Sequence, residues 1–166
     1  GYADQGDWWN WVSSSPAPFS GATAHQSSST YGFHQHYFAF ATRTLNVNPG
    51  ESLVAYVYVD PSSPPTEIML QWNDGSSWEH RAYWGANRIP WGVDGTASLR
   101  NMGAIPAGGQ WVRLEVPASQ VGLDEDGMSR DDDLLLVGQQ PPGPQQPGGY
   151  PDLADVVEHP GRPDVL

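Results

Sequence analysis

Glu67-Ile68-Met69-Leu70-Gln71-Trp72-Asn73-Asp74-Gly75-Ser76-Ser77-Trp78-Glu79-His80-Arg81-Ala82-Tyr83-Trp84 carries the pattern of a β-hairpin. Asn-Asp-Gly tolerates positive φ, and it stands between two runs rich in aromatic and branched side chains. The strands expected beside it are Ser52 to Val59, where Leu53, Ala55, Val57 and Val59 alternate with Val54, Tyr56 and Tyr58, and Gln110 to Val116, closed by Pro117. Asp60-Pro61-Ser62-Ser63-Pro64-Pro65 ends the first of these, because proline offers no ladder donor.

Outward from this centre, Phe33 to Val47 alternates as a strand with both faces partly covered. Trp9 and Trp11 share a face of a short segment broken by Ser13-Ser14-Ser15-Pro16. Gly85 to Gly109 is a long Gly- and Pro-punctuated connection with a short strand candidate near Ala97-Ser98-Leu99, and loops of such length tend to be functional. No stretch has helical periodicity, and turns recur about every ten residues. The expected fold is all-β, an antiparallel two-sheet β-sandwich of jelly-roll type over residues 1–123, followed by an acidic, Pro- and Gly-rich tail over residues 124–166.

At 166 residues the chain is long enough for one domain with a real core. Eight tryptophans and seven tyrosines against four phenylalanines favour rings that bury one side and keep a polar edge wet. With no cysteine, disulfides, thiolate catalysis and Cys-ligated metal are excluded. All seven basic residues are arginine, and the formal charge of −12 argues against nucleic acid, whose phosphates need a basic face. No apolar run approaches the length of a membrane span. Gly1 in the first position reads as a processed or trimmed end, so a mature extracellular or cell-surface piece is expected.

The words Gly6-Asp7-Trp8, Asn10-Trp11-Val12-Ser13-Ser14, Gly21, Ala24-His25-Gln26-Ser27 and His34-Gln35-His36-Tyr37-Phe38 occur in order. They continue through Val57-Tyr58-Val59-Asp60-Pro61, Gln71-Trp72-Asn73-Asp74-Gly75, Trp78 to Gly85 and Gly109 to Pro117. In these words, over residues 6–123, the chain resembles a module of large exported bacterial proteins found beside Rhs/YD-repeat regions and similar to carbohydrate-binding jelly rolls. The resemblance implies a jelly-roll fold and glycan binding. Such modules close with an apolar strand after the Val-Gly-Leu word, whereas here the chain turns acidic after Leu123; a change of translation frame would produce such a tail. Residues 124–166 hold ten acids and two arginines. Within them, Leu134-Leu135-Leu136-Val137 is the natural filler for a missing strand. Gln139 to Tyr150 reads as polyproline-like or disordered.

Aromatics are the strongest functional cue. Exposed indoles make platforms for the apolar faces of sugars. Trp84 and Trp91, flanking the long loop with Asn87 and Arg88 and helped by Tyr83, are the expected polysaccharide-binding residues, while Trp72 and Trp111 are assigned to the core. His34 and His36 on one face of a strand, with His25, can share a metal such as zinc or copper, or simply form a polar stripe bonded to loops. Calcium is the commoner ion for such modules, with Asp60 and Asp74, and also Asp7 and Asp94, as turn-borne candidates. Asp124-x-Asp126-Gly127 with Asp133 reads as a solvated acidic loop. His80 beside Glu79 and Arg81 reads as a cross-strand polar group. No nucleophile elbow, phosphate loop or dinucleotide fingerprint is present. The expected function is non-catalytic polysaccharide binding. The alternatives are a subunit of an extracellular filament joined by exchange of residues 124–166, and a polysaccharide-active enzyme.

Overall fold

The computed structural model describes residues 2–27 except 4–8, residues 32–37, 45–124, 132–140 and 155–158, with the backbone alone for residues 2–3, 9, 132–140 and 155–158. The expectations placed on Asp7, Trp8, residues 38–44 of the strand expected from Phe33 to Val47, Asp126-Gly127 and residues 141–150 of the Pro-rich stretch lie outside the described residues, while Gln139 and Gln140, expected to be polyproline-like or disordered, lie in a strand.

Eleven strands are found among the described residues: β1 (Tyr2–Ala3), β2 (Trp9–Val12), β3 (Ala24–Ser27), β4 (Gly32–Tyr37), β5 (Ser52–Tyr58), β6 (Glu67–Asp74), β7 (His80–Gly85), β8 (Arg100–Asn101), β9 (Trp111–Pro117), β10 (Asp132–Gln140) and β11 (Asp155–Glu158). A 3-10 turn at Ala118–Val121 is the only helical element among them, so the chain is all-β. A six-stranded sheet runs β1-β4-β10-β6-β7-β8 and a five-stranded sheet β2-β3-β11-β5-β9. Among the described strands pairing is antiparallel except at β7 and β8, where Ala82 and Tyr83 run parallel to Arg100 and Asn101. That exception to the expected antiparallel order follows from the long connection: residues 86–99 return the chain to the start of the neighbouring edge, which a tight turn cannot do.

The hairpin forms where the sequence placed it, with Ile68 opposite Trp84 and Trp72 opposite His80. Its turn closes on Asp74 and Asn73. Asn73 Oδ1 accepts the Gly75 N–H at 2.7 Å, and Asp74 Oδ1 accepts the N–H groups of Ser76 and Ser77 at 2.9 and 2.8 Å. Strand β7 ends at Gly85, whose φ is +96° and where a Cβ would stand 2.2 Å from the Thr66 carbonyl oxygen. Only glycine fits that approach.

One apolar cluster joins the two sheets. Leu53, Ala55, Val57, Leu114 and Val116 come from the five-stranded sheet, and Ile68, Leu70, Trp72, Ala82 and Trp84 from the six-stranded one. Each large side chain buried there stabilises the fold by about 2 kcal/mol. A second cluster forms on the other face of the six-stranded sheet, where the connection after β7 lays Ile89 and Leu99 over Met69 and Tyr83, with Phe33, Tyr37, Trp78 and Trp91 around it. Strand β6 is thereby covered on both faces, which is why all six residues from Glu67 to Trp72 are buried.

Two strands come from the acidic tail. Strand β10 pairs with β4 on one side and β6 on the other, setting Leu136 between His36 and Leu70. Strand β11 pairs with β3 and β5, setting Val156 between His25 and Val57.

Candidate functional site

The residues singled out from the sequence as a sugar platform separate into three environments. Trp84 faces the inter-sheet core and is 7% exposed, and Tyr83 faces the covered side at 2% exposed, its hydroxyl donating to Asp94 Oδ1 at 3.0 Å. A buried indole offers no free face for stacking, so the expectation that Trp84 is a platform gives way to a packing role set by its pairing opposite Ile68. Asn87 and Arg88 are exposed, while Trp91 is half-buried and meets Phe33 edge-on at 4.7 Å. Trp91 thus stays at the rim of the covered face, beneath which Arg81 lies with its guanidinium carbon 6.0 Å from the indole centroid.

That covered face is polar where it is deepest. Glu67, 0% exposed, accepts the backbone N–H groups of Arg88 and Ile89 at Oε2, at 2.5 and 2.9 Å, and so pins the start of the loop. Burial pushes its carboxyl above the usual carboxylate range, against the opposing pull of those two hydrogen bonds. Arg81 donates through both Nη atoms to Glu79, at 3.0 and 2.8 Å, and through Nη1 to the Ser98 carbonyl at 3.0 Å. Gln71, directly opposite Arg81, donates from Nε2 to the Trp78 carbonyl at 2.9 Å. Glu67 Oε1, Gln71 Oε1 and Arg81 Nε are buried without a hydrogen-bond partner among the described residues. Gly92 lets the loop close on this cluster, since a Cβ there would meet the Ser98 carbonyl oxygen at 2.2 Å and Arg81 Nη1 at 3.0 Å.

The metal candidates are placed differently. His34 and His36 face inward from β4, in register with Ile68 and Leu70 through β10, and His25 faces inward from β3 of the other sheet. His25 and His36 meet across the layers, with ring centroids 4.3 Å apart and planes at 75°, and the Trp11 ring centroid lies 3.5 Å from that of His25 with the planes tilted by 55°. Burial lowers both imidazoles to about 4, and the neighbouring His36 adds to the effect at His25. Asp60 Oδ1 accepts the N–H and hydroxyl of Ser62 at 2.7 and 2.6 Å. Asp74 adds the Ser76 hydroxyl at 2.7 Å and lies 3.3 Å from His80 Nε2. Burial would raise the Asp74 carboxyl, but these hydrogen bonds hold it well below the usual range. Both carboxylates are spent on closing turns. Among the described residues no three His, Cys, Asp or Glu side chains gather as a metal-binding group.

A third arrangement was missed by the sequence reading. On the outer face of the five-stranded sheet, Phe19 stacks flat on Tyr56, centroids 3.6 Å apart and planes at 14°. Tyr58, two residues along, meets Trp111 of the paired strand at 5.7 Å. The Trp111 Nε1–H donates to the Ala17 carbonyl at 2.9 Å, which ties the loop after β2 across the sheet and holds Phe19 over Tyr56. Phe19 is 45% exposed, and Trp111, expected in the core, is half-buried on this outer face. Arg113 and Glu115 continue the face along β9 as an exposed ion pair. The signal was present: Trp111 is in phase with Arg113 and Glu115, not with Leu114 and Val116.

No protein-family model, no curated protein and no solved structure matches the chain.

Proposed function

We propose that the chain is a non-catalytic extracellular module, a β-sandwich of jelly-roll type, that holds a polysaccharide along the outer face of its five-stranded sheet. The observation that carries this reading is the aromatic strip Phe19-Tyr56-Tyr58-Trp111, in which exposed Phe19 stacks on half-buried Tyr56, Tyr58 meets Trp111 with their planes at 67°, and the Trp111–Ala17 hydrogen bond fixes the arrangement. Rings held in this way lose little side-chain freedom when a sugar stacks on them, and the tyrosine hydroxyls, Arg113 and Glu115 supply polar partners for its rim. The formal charge of −12 favours a neutral glycan over an acidic one. The sequence words shared with exported glycan-binding-like modules point the same way.

Affinity electrophoresis and a glycan array on the full chain test this. Retardation on a neutral polysaccharide, weakened about tenfold or more in Phe19→Ala and Trp111→Ala, is the expected result. Unaltered mobility on every polysaccharide would refute it, as would binding insensitive to both substitutions. Release of reducing ends would instead mark an enzyme.

A second reading is favoured by β10 and β11, which reach the middle of both sheets from residues 132–158. A strand that inserts within its own chain can insert in a neighbour's, and head-to-tail exchange without closure gives a filament. Light scattering of the full chain against one ending at residue 123 distinguishes the two readings: assembly that needs residues 124–166 supports exchange, and a monomer at all concentrations excludes it.

A further inference from the structure

Beneath the loop over residues 86–99 two directly opposed residues each retain one unused hydrogen-bonding atom. Gln71 has spent its Nε2 on the Trp78 carbonyl and keeps the acceptor Oε1, and Arg81 has spent both Nη atoms and keeps the donor Nε–H. They are 3% and 5% exposed. Cross-strand neighbours on one face have Cβ atoms about 5 Å apart, so a single small group can reach both. An unmet buried donor or acceptor costs about 1–3 kcal/mol, and two side by side are a place that favours a guest.

The chemistry of the pair selects that guest. A hydroxyl donates and accepts at one atom, so it can take the Arg81 Nε–H and give its own proton to Gln71 Oε1. A carboxylate or phosphate can only accept, and the Arg81 charge is already matched by the two-point contact with Glu79. An ammonium can only donate and would lie against the guanidinium. Aromatic rings flank the pair: Trp91 lies over Arg81, and half-buried Trp78, whose carbonyl holds Gln71, meets Tyr37 edge-on at 6.4 Å. Trp78 and Trp91, both half-buried, stand at the edge of the second cluster, between the pair and the surface.

We propose that Gln71 and Arg81 form a second, separate binding site on the six-stranded sheet, which takes one hydroxyl of a sugar unit between Trp78 and Trp91. Its shape differs from that of the strip on the opposite sheet. A strip accommodates the length of a chain, whereas a pair of atoms under a loop admits one ring, such as a chain end or a branch.

The Arg81 Nε–H gives its own NMR cross-peak, which tests the site on the full chain. Methyl glycosides of common hexoses and pentoses, and a neutral oligosaccharide, are titrated while that peak and the Trp78 and Trp91 indole N–H peaks are followed. A saturable shift of all three by at least one sugar is expected. Gln71→Met, which keeps the volume and removes the acceptor, should weaken it about three- to tenfold. The same titration on Phe19→Ala/Trp111→Ala should leave the shift intact, so failure of the strip and failure of this site are separable. A dispersed amide spectrum for Gln71→Met shows that the variant is folded; if it is not, Trp91→Ala takes its place, with the same loss expected. An Arg81 peak unmoved by every sugar, with exchange to a long-lived water, would mean that a buried water fills the pair and would overturn the proposal. So would a sugar shift unchanged in both Gln71→Met and Trp91→Ala.

Discussion

Lowering the pH from 7 to 5 should weaken the fold through the histidine pair that joins the two sheets. His25 and His36 are both lowered to about 4 from an ordinary 6.5. A group whose folded value lies below its unfolded one contributes fully above the unfolded value and loses that contribution as pH falls toward the folded one. For each ring the window is therefore pH 6.5 to about 4. By pH 5 the unfolded ring is almost fully protonated and the folded one is not, a difference of about 2 kcal/mol per ring before screening. Screening and the repulsion the two rings share reduce the pair to roughly 2–3 kcal/mol. With a urea slope of about 1.5–2 kcal/mol/M for a chain of this size, the midpoint should fall by roughly 1–2 M. Asp74 and Glu79 are held below the ordinary carboxylate range, so their contributions are lost only at lower pH, whereas Glu67, held above it, gains as pH falls and offsets part of the loss, so the comparison is made in Glu67→Gln. Urea unfolding at pH 7 and pH 5, followed by tryptophan fluorescence, measures it. His36→Phe keeps a ring against His25 but cannot charge, and should lose less than half as much. A Glu67→Gln midpoint that does not move, or a His36→Phe/Glu67→Gln midpoint that falls as far, would refute the reasoning.

Trp84→Ala should cost about 3–5 kcal/mol by leaving a cavity opposite Ile68, read as a lower thermal midpoint with polysaccharide retardation retained in the folded variant; lost binding at unchanged stability would put the indole back in the site. Glu67 contributes in the opposite sense to the histidines: its raised folded value means stability fully present below the unfolded value and lost as pH rises through the folded one. Glu67→Gln should therefore gain on wild type as pH rises in the same urea series, and a constant difference across pH would count against a buried, raised carboxyl. Gly92→Ala, at φ +75° with the Ser98 carbonyl oxygen at 2.2 Å from the new Cβ, should destabilise by about 1–3 kcal/mol and shift the Arg81 Nε–H peak without ligand; an unperturbed peak would show that the loop can move aside.

The strands were legible because their alternation is strong, and the sites were less so because they depend on register. Asn73-Asp74-Gly75 announces a turn, but the connection spans Gly75 to Glu79 before β7 begins. The turn length decides whether Trp84 or Tyr83 faces the core, since a slip of one residue exchanges the faces. Trp111 was readable from the phase of its own strand, because Arg113 and Glu115 can only face water. Phe19 was not, because nothing near it in sequence says that Ala17 will be bonded to a residue 94 positions away. The inward direction of His34 and His36 was equally hidden. Their strand alternates on both faces, and only the pairing through β10 puts them in phase with Ile68 and Leu70.

The order of pairing sets a hierarchy in the fold. Among the described strands, β3 pairs only with β2 and β11, and β4 only with β1 and β10, so the N-terminal strands join the ladder of each sheet through strands supplied by the tail. By contrast β5 with β9, and β6 with β7 and β8, pair within residues 52–117 and carry most of the apolar cluster. Contacts close in sequence form before distant ones because they close shorter loops. The central unit is therefore the part that organises first, and the N-terminal strands and the tail are mutually dependent additions. Gln71, Arg81, Trp78 and Trp91 belong wholly to that unit. The strip does not: Tyr56, Tyr58 and Trp111 lie in it, but Phe19 rides on the loop between β2 and β3. A perturbation of the tail that releases the N-terminal strands should accordingly weaken the strip through loss of Phe19 and leave the hydroxyl site standing.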